Sequence, residues 1–511
     1  MSVDSLSILG LRNIAIIKDT CELVGIEYPQ THKLNWNDKE VWDSLLESPI
    51  GLFQFGSDFA FDCLKRFDPK SVNDLAMVSA ITRPGATSIR DRFLNHERNR
   101  NPDKMIDELF EDNNGWLIFQ EDTLAFLINI CGLSGSEADN VRRAIGRKQF
   151  DRLENAMPTI LEGYCSKSSK PVDVAKSEAQ EFLQILSDSA QYQFGKNHST
   201  GYSMITYMCA YLRHYYPYEF ICAYLNNSEK QEHIQEGTSL ADLYNIKINP
   251  PKFRYSKATY FPDKETNSIY KGLSSIKYMN ETVANELYEL RDKQYNNFLE
   301  LLKDINENTS INSRQLTILI TTGYFSEFGK SKKLMDIVDI YNSLNGKKQF
   351  KFDSLPLSLT IEEVEPYAGK KTAKMFTQVD TDGLIEYMTN KVQDIELPMK
   401  DIFECELENI GYISYQDNSY NPKVCVVTEI NTNKFGTTFL SLYRLCDGTT
   451  TNIKVDKKYY ANKPLSKYDM ISIGDMEQKH KRKKVDGKWV MSDETEIILN
   501  SYARVVIEDE G

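Results

Sequence analysis

Apolar residues recur three and four positions apart in DFAFDCLKRF (58–67), VNDLAMVSAI (72–81), TLAFLINICG (123–132) and MITYMCAYLRHYY (204–216), so each segment can bury one helical face. The pattern predicts that residues 1 to about 230 are almost all helix. At the start, DSLSILGLRNIAIIKDTCELV (4–24) reads as a short buried strand or turn feeding an amphipathic helix. Pro84 and Gly85 interrupt the period. Proline fixes one torsion and lacks a donor, glycine permits a close or left-handed path, and Arg83 is thereby expected at a defined turn. Ser134 or Ser136 is placed to cap a helix that presents Arg142, Arg143 and Lys148. Adjacent arginines diverge by about 100° on a helix, so one can face a phosphate while the other supports the fold.

Residues 231–360 are more broken, and Pro250 and Pro251 exclude a continuous helix there. From 405 onward the period shortens to β-rich runs such as VCVVTEINTN, TTFLSLYRLCDGTT and DMISIGDMEQ, divided by turn formers. Gly436 suits the loop of the first hairpin, and KHKRKK at 479–484 forms a basic excursion.

A chain of 511 residues can bury several cores, with about two to four domains expected. Its apolar runs are interrupted within a few residues, so no membrane span or membrane partner is expected. No apolar signal segment follows Met1, which gives a cytoplasmic expectation. The nine cysteines are scattered without C-x-x-C spacing, which fits reduced, packed thiols and supports neither a zinc site nor a disulfide framework. A net charge of −13 argues against a protein coated all over with nucleic acid, so the useful question is where cations cluster. They do so at Arg83, Arg90 and Arg92, at Arg142, Arg143, Arg147 and Lys148, and at 479–484.

The segments ITRPGATSIRDRF (81–93), GWLIFQEDTLAFL (115–127), EADNVRRAIGRK (137–148) and QFGKNHSTGYSMITYMCAYLRHYYPYEFICAYL (193–225) follow one another in an order that resembles the fingers region of bacterial or phage family C DNA polymerases, the DNA polymerase III alpha subunit family. That resemblance implies that Arg83, Arg142, Arg143 and Lys148 lie near the incoming dNTP triphosphate or the primer-template. It places Lys196, Asn197 and His198, within FGKNHSTGY, near nucleotide or DNA. GLFQFGSD (51–58) resembles the entry to the fingers, with Gln54 contacting substrate or serving in packing and capping. Thr82 and Ala86 depart from the family's tyrosine and second proline around Arg83.

IYKGLSSIKYMNETVANELYELR resembles the family's helix-hairpin-helix, although Tyr278, Met279 and Asn280 replace its glycine-containing turn. The second half, NSRQLTILITTGYFSEFG (312–329), keeps the glycine-aromatic stop, and Lys271, Lys277 and Arg314 are candidate duplex contacts. KKQFKFD (347–353) is a candidate sliding-clamp peptide, with packing of Phe350 and Phe352 as the other reading. The terminal strands resemble the family's OB barrel, in which Lys479, Lys481, Arg482, Lys483 and Lys484 would bind template backbone beside Tyr443 and Trp489.

The implied fold is multidomain: mainly α-helical fingers and a helix-hairpin-helix region, then a small β-barrel. The expected divisions are 1–50, a residual palm segment and connection; 51–230, fingers; 231–360, helix-hairpin-helix and clamp-binding-like; 361–404, linker; and 405–511, OB-like. Family palms supply three carboxylates for two Mg2+ ions. Two have no counterpart here, and VDSLSILGL aligns either with Asp4 as the third ligand or with Ser7 in its place. The expected role is therefore the C-terminal half of a split nucleotidyltransferase, inactive alone and without metal of its own. Its partners would be primer-template DNA, dNTP, a palm-bearing subunit, the sliding clamp and other replisome proteins, with Mg2+ present in the assembled enzyme. The other reading is a catalytically inactive replication adaptor or inhibitor that binds DNA, clamp or replisome components.

Overall fold

The computed structural model describes residues 12–147, 149–190, 193–485 and 488–505; Asp4, Ser7 and Lys148 lie outside them. The chain divides between Lys247 and Ile248 into two compact units.

The first unit is helical, as its period predicts. Helices α1 (Arg12–Val24), α2 (Lys39–Leu45), α3 (Asp58–Phe67), α4 (Val72–Ile81), α5 (Thr87–Leu94) and α6 (Lys104–Leu109) lead to α7 (Gln120–Ala125) and α8 (Gly135–Gly146). A long pair, α9 (Phe150–Lys167) and α10 (Val172–Ser189), precedes α11 (Lys196–Tyr215), α12 (Pro217–Asn226) and α13 (Gln231–Leu243). Ser57, Ser71 and Ser134 accept hydrogen bonds from backbone N–H groups in the first turns of α3, α4 and α8, satisfying donors that a helix start leaves free.

Two clusters of buried side chains hold the helices that carry the site. Trp42, Phe55, Leu64, Leu75, Val78, Phe93, Phe119 and Tyr207 form one, around α4 and α11. Ser199 Oγ donates to Ala76 O at 2.7 Å across that pair. Arg213 is 1% exposed and donates to the carbonyls of Ser44, Ser48 and Ile50 at 2.7–2.8 Å, so backbone dipoles help to hold its buried charge. Phe126, Leu127, Tyr164, Phe182 and Leu186 form the other core. Here α9 approaches so closely that a Cβ at Gly163 would fall 1.8 Å from Cys131 O, which only glycine allows.

The second unit opens on a three-stranded sheet, with β3 (Ser268–Tyr270) between β1 (Lys247–Asn249) and β2 (Phe261–Asp263). Helices α14 (Glu281–Glu289), α15 (Phe298–Asn308), α16 (Ser313–Thr321) and α17 (Ser331–Leu344) follow, with Leu287, Leu301, Leu319, Phe325 and Leu334 in their core. Phe350, in β4 (Gln349–Lys351), is buried in the same core, and Phe352 packs against it. Residues 361–404, expected as a linker, are folded instead. They carry α18 (Ile361–Val364), β5 (Ala368–Lys371), β6 (Met375–Val379), α19 (Thr381–Thr389) and the start of α20 (Met399–Asn409). Val364, Phe376, Leu384 and Ile385 from this stretch join the helical core, and β6 pairs with both β4 and β5.

The terminal β-domain is a curled seven-stranded sheet of OB-like form. It comprises β7 (Val424–Thr432), β8 (Thr438–Arg444), β9 (Thr450–Val455), β10 (Met470–Ile473), β11 (Met476–Val485), β12 (Lys488–Leu499) and β13 (Tyr502–Arg504), in the order β11-β12-β9-β8-β7-β10-β13. Val427, Leu440, Leu442, Ile453, Ile471 and Leu499 fill its concave side. Gly436 turns β7 into β8 at φ +71°, a conformation open to glycine at no steric cost. Helix α21 (Lys457–Asn462) follows β9. All nine cysteines are free thiols, buried or half-buried. Among the described residues no helix is long and apolar enough to cross a membrane.

Candidate nucleic-acid interface

One short parallel bridge assembles the first unit's cationic segments. Phe119 and Phe194 pair, with Gln120 N donating to Phe194 O at 2.9 Å and Phe194 N to Ile118 O at 3.3 Å. Lys196 N donates to Glu121 Oε2 at 2.7 Å, and Thr123 Oγ1 to Gln193 Oε1 at 2.9 Å. The first turns of α7 and α11 are thus tied together. Asp122 braces this junction from inside, accepting from the N–H groups of Ile118 and Phe119 at 2.8 Å and from Asn113 Nδ2 at 3.1 Å. Burial pushes its carboxyl up to about 6 against the lowering effect of those hydrogen bonds.

Cations and aromatic rings gather on the bridge. The Arg83 guanidinium lies 3.5 Å from the Phe194 ring centroid, and Lys196 Nζ lies 5.5 Å from that of Phe119. From Phe194 a line of rings runs through His198 at 5.1 Å, Tyr202 at 3.9 Å and Phe53 at 4.9 Å. His198 is exposed and therefore accessible, and Asn197 beside it is exposed in the first turn of α11. Gln54, with φ +69°, follows Phe53 and is also exposed.

Arg90 has a different role from Arg83. It donates to Ile81 O at 3.0 Å and Arg83 O at 2.7 Å, bracing the turn on both sides of Arg83. Ala86 is fully buried in that turn, so packing and the Arg90 brace hold it without a second proline. Arg92 pairs with Glu97 at 3.0 Å and stacks on Trp116.

On α8, Ser134 caps the helix with Glu137 in reciprocal hydrogen bonds. Arg142 donates to Asp139 Oδ1 through Nε at 3.0 Å and Nη2 at 2.8 Å, and reaches Gln120 Oε1 through Nη1 at 2.8 Å. Arg143 pairs with the other carboxylate oxygen, Asp139 Oδ2, at 2.8 Å. The two arginines hold the Asp139 carboxyl below its ordinary value, chiefly through the Arg142 hydrogen bond. Arg83, Arg142, Lys196 and His198 are therefore joined through residues 119–121 and 194. Gln120, Glu121, Asp122 and Asp139 escaped the sequence reading. The D-x-x-R-R spacing could have revealed Asp139, whereas Gln120 and Glu121 act on distant segments and Asp122 acts through buried local backbone contacts.

In the second unit, Lys271 is not a duplex contact. It is fully buried, with Nζ 3.4 Å from Ile410 O and 4.4 Å from the Tyr412 ring centroid. Burial brings its amine down to about 7, opposed by the nearby Glu406 carboxylate. Lys277 and Arg314 are exposed and both stand over Tyr278, the Arg314 guanidinium at 3.5 Å. Tyr278 takes φ +69° where the expected motif has glycine, Gln315 Nε2 donates to its carbonyl at 2.8 Å, and Asn280 caps α14. The turn persists, held by side chains.

In the β-domain Tyr443 is buried, with its hydroxyl donating to Tyr415 O at 3.0 Å, so it packs instead of offering a free ring to template. Lys479 is exposed and pairs with Glu477 at 2.9 Å. Lys481, Arg482, Lys483 and Lys484 continue strand β11, which pairs with β12 in the register Arg482 to Met491 and Lys484 to Trp489; the side chains of 481–490 lie outside the described residues.

Residues 13–168 match the finger domain of the bacterial DNA polymerase III alpha subunit, and residues 245–335 match a helix-hairpin-helix motif. The chain resembles a C-terminal portion of DNA polymerase III alpha. It is 28% identical over 337 residues to DNA polymerase III subunit alpha of Treponema pallidum, covering 63% of this chain and 28% of that protein. Against the Bacillus subtilis subunit it is 26% identical over 414 residues, 79% of this chain and 34% of that one. Against the Ureaplasma parvum subunit it is 24% identical over 464 residues, 88% and 43% respectively. The chain thus spans between about a quarter and under half of the length of these relatives. Its polymerase III alpha-like part comprises the fingers and the helix-hairpin-helix region.

Proposed function

We propose that this chain is the fingers-bearing half of a split polymerase III alpha-like enzyme, binding incoming dNTP and primer-template while a separate palm-bearing chain completes the site for DNA synthesis. The carrying observation is the convergence of Arg83, Arg142, Lys196 and His198 on the bridge at Phe119 and Phe194. Phosphoryl transfer redistributes negative charge over several oxygens, and guanidinium and ammonium donors fixed beforehand stabilise it without reorganising at the moment of reaction. Arg143 and Lys148 extend the same cationic run. Lys277 and Arg314 serve as duplex contacts, and the β11–β12 hairpin as a contact for template backbone.

Two Mg2+ ions would supply activation of the 3′-hydroxyl and neutralisation of the leaving phosphates. In that enzyme this chain would contribute phosphate grip, with Asp4 a third ligand beside the partner's carboxylates. The sliding clamp and other replisome proteins complete the set of partners.

Primer extension by the purified chain, alone and mixed with a palm-bearing polypeptide, tests the proposal. The chain alone is expected to give no extension, the mixture to restore it, and Asp4→Asn to abolish the restored activity. Robust Mg2+-dependent extension by the chain alone rejects the separate palm. Unchanged activity of Asp4→Asn removes Asp4 from the metal site.

A further inference from the structure

The arginines of α8 are unequal. Arg142, with a side chain 24% exposed, has two acceptors: Asp139 on its own helix and Gln120, which comes from α7. Arg143, 58% exposed, is paired with Asp139. One carboxylate therefore divides its two oxygens between two guanidiniums, leaving an excess positive charge on this surface. A helical ion pair at this spacing is ordinary by itself. The contact that sets this cluster apart is Gln120. Its backbone N–H is fixed by the Phe194 carbonyl while its side-chain oxygen holds Arg142, so it links α8 directly to the bridge carrying Arg83 and Lys196.

A polyphosphate carries more charge than one carboxylate and offers several oxygens in the geometry that guanidinium forks match. It would displace Asp139 from both arginines. Gln120, being neutral, does not compete for the anion and goes on holding Arg142. We propose that Asp139 is a stand-in anion exchanged for the nucleotide's polyphosphate, with Gln120 the positioning residue that keeps Arg142 in place during the exchange and Arg143 the arm that swings. This inference rests on the phosphate-handling reading of the fingers.

The test is titration calorimetry of the full chain with inorganic tripolyphosphate and, separately, with dATP at low salt, alongside thermal unfolding. Asp139→Asn keeps shape and removes the charge, and is expected to tighten tripolyphosphate binding about three- to tenfold, the size of one or two partly exposed ion pairs that no longer compete. Gln120→Met keeps length and removes the acceptor, and is expected to weaken binding about threefold or more. Arg143→Gln should lose most of the affinity. Both tripolyphosphate and dATP should show the same Asp139→Asn effect, with unfolding unchanged.

Binding by Asp139→Asn equal to or weaker than wild type, in a normally folded variant, overturns the exchange. So does an effect seen with dATP alone. Loss of binding in Arg143→Gln with Asp139→Asn and Gln120→Met both unaltered leaves the phosphate reading standing and removes this inference alone. No binding of either probe by wild type removes both.

Discussion

Replacing Lys271 with methionine should make the second unit more stable at neutral and mildly acid pH. Lys271 is fully buried, and its amine has one carbonyl at 3.4 Å and the Tyr412 ring for company. Glu406, 2% exposed, lies near it, but the two form no ion pair within 4.0 Å; its carboxylate instead accepts from Ser414 N at 3.0 Å and from Ser414 Oγ. Burial lowers the amine from 10.5 to about 7, which corresponds to roughly 5 kcal/mol at about 1.4 kcal/mol per pH unit. The folded state releases its proton before the unfolded state does. Between about pH 7 and 10.5 the unfolded chain therefore binds more protons, and this group makes stability rise with pH across that window; below about 7 its full penalty is present. Methionine keeps the aliphatic stem and removes the charge. Glu406 then loses a neighbouring cation but keeps both Ser414 bonds, so the net gain at pH 6 should be about 1–3 kcal/mol, falling toward zero near pH 9. The assay is urea unfolding at pH 6, 7, 8 and 9, followed by hydrogen exchange at the amides of 271–279 and 406–415. A Lys271→Met chain less stable than wild type at pH 6, or a difference independent of pH, would refute the account of an amine held in a dry, weakly paired site.

Two further outcomes separate roles that charge alone does not. In a reconstituted complex, Arg83→Gln and Lys148→Gln should raise the KM for nucleotide while leaving thermal unfolding nearly unchanged, whereas Arg90→Gln should lower the unfolding temperature because it removes both braces of the Arg83 turn; wild-type nucleotide dependence in the first two would place them outside the phosphate surface. Neutralising Lys479, Lys481, Arg482, Lys483 and Lys484 together should weaken single-stranded DNA binding and flatten its dependence on salt, independent of base order; equal affinity and salt slope would reduce the hairpin to a solvated loop.

What the sequence made legible was local. Helical period, the serine cap at 134 or 136 and the turn at Gly436 each depend on residues within a few positions, and the structure gives the cap to Ser134. Residues 361–404 were misread because their elements are short and largely polar, so no window showed a period; their core residues meet partners elsewhere in the chain. Lys271 and Lys277 stand close together in one motif, yet one is sealed under Tyr412 and the other is exposed over Tyr278. That difference is decided by residues 406–412, far along the chain.

The candidate site is half visible in the sequence for the same reason. Its cations advertise themselves by charge, but their orientation comes from neutral or acidic residues that look unremarkable in sequence: Gln120 on Arg142, Glu121 on the Lys196 amide, and Asp122 under the bridge. Each acts across a separation of 22 residues or more or through a buried backbone contact. A cationic cluster becomes a phosphate site only when its side chains are held in register before the anion arrives. In this chain that register is set by the pairing of Phe119 with Phe194, so a substitution that breaks the bridge should disperse Arg83, Lys196 and Arg142 together even with every cation intact.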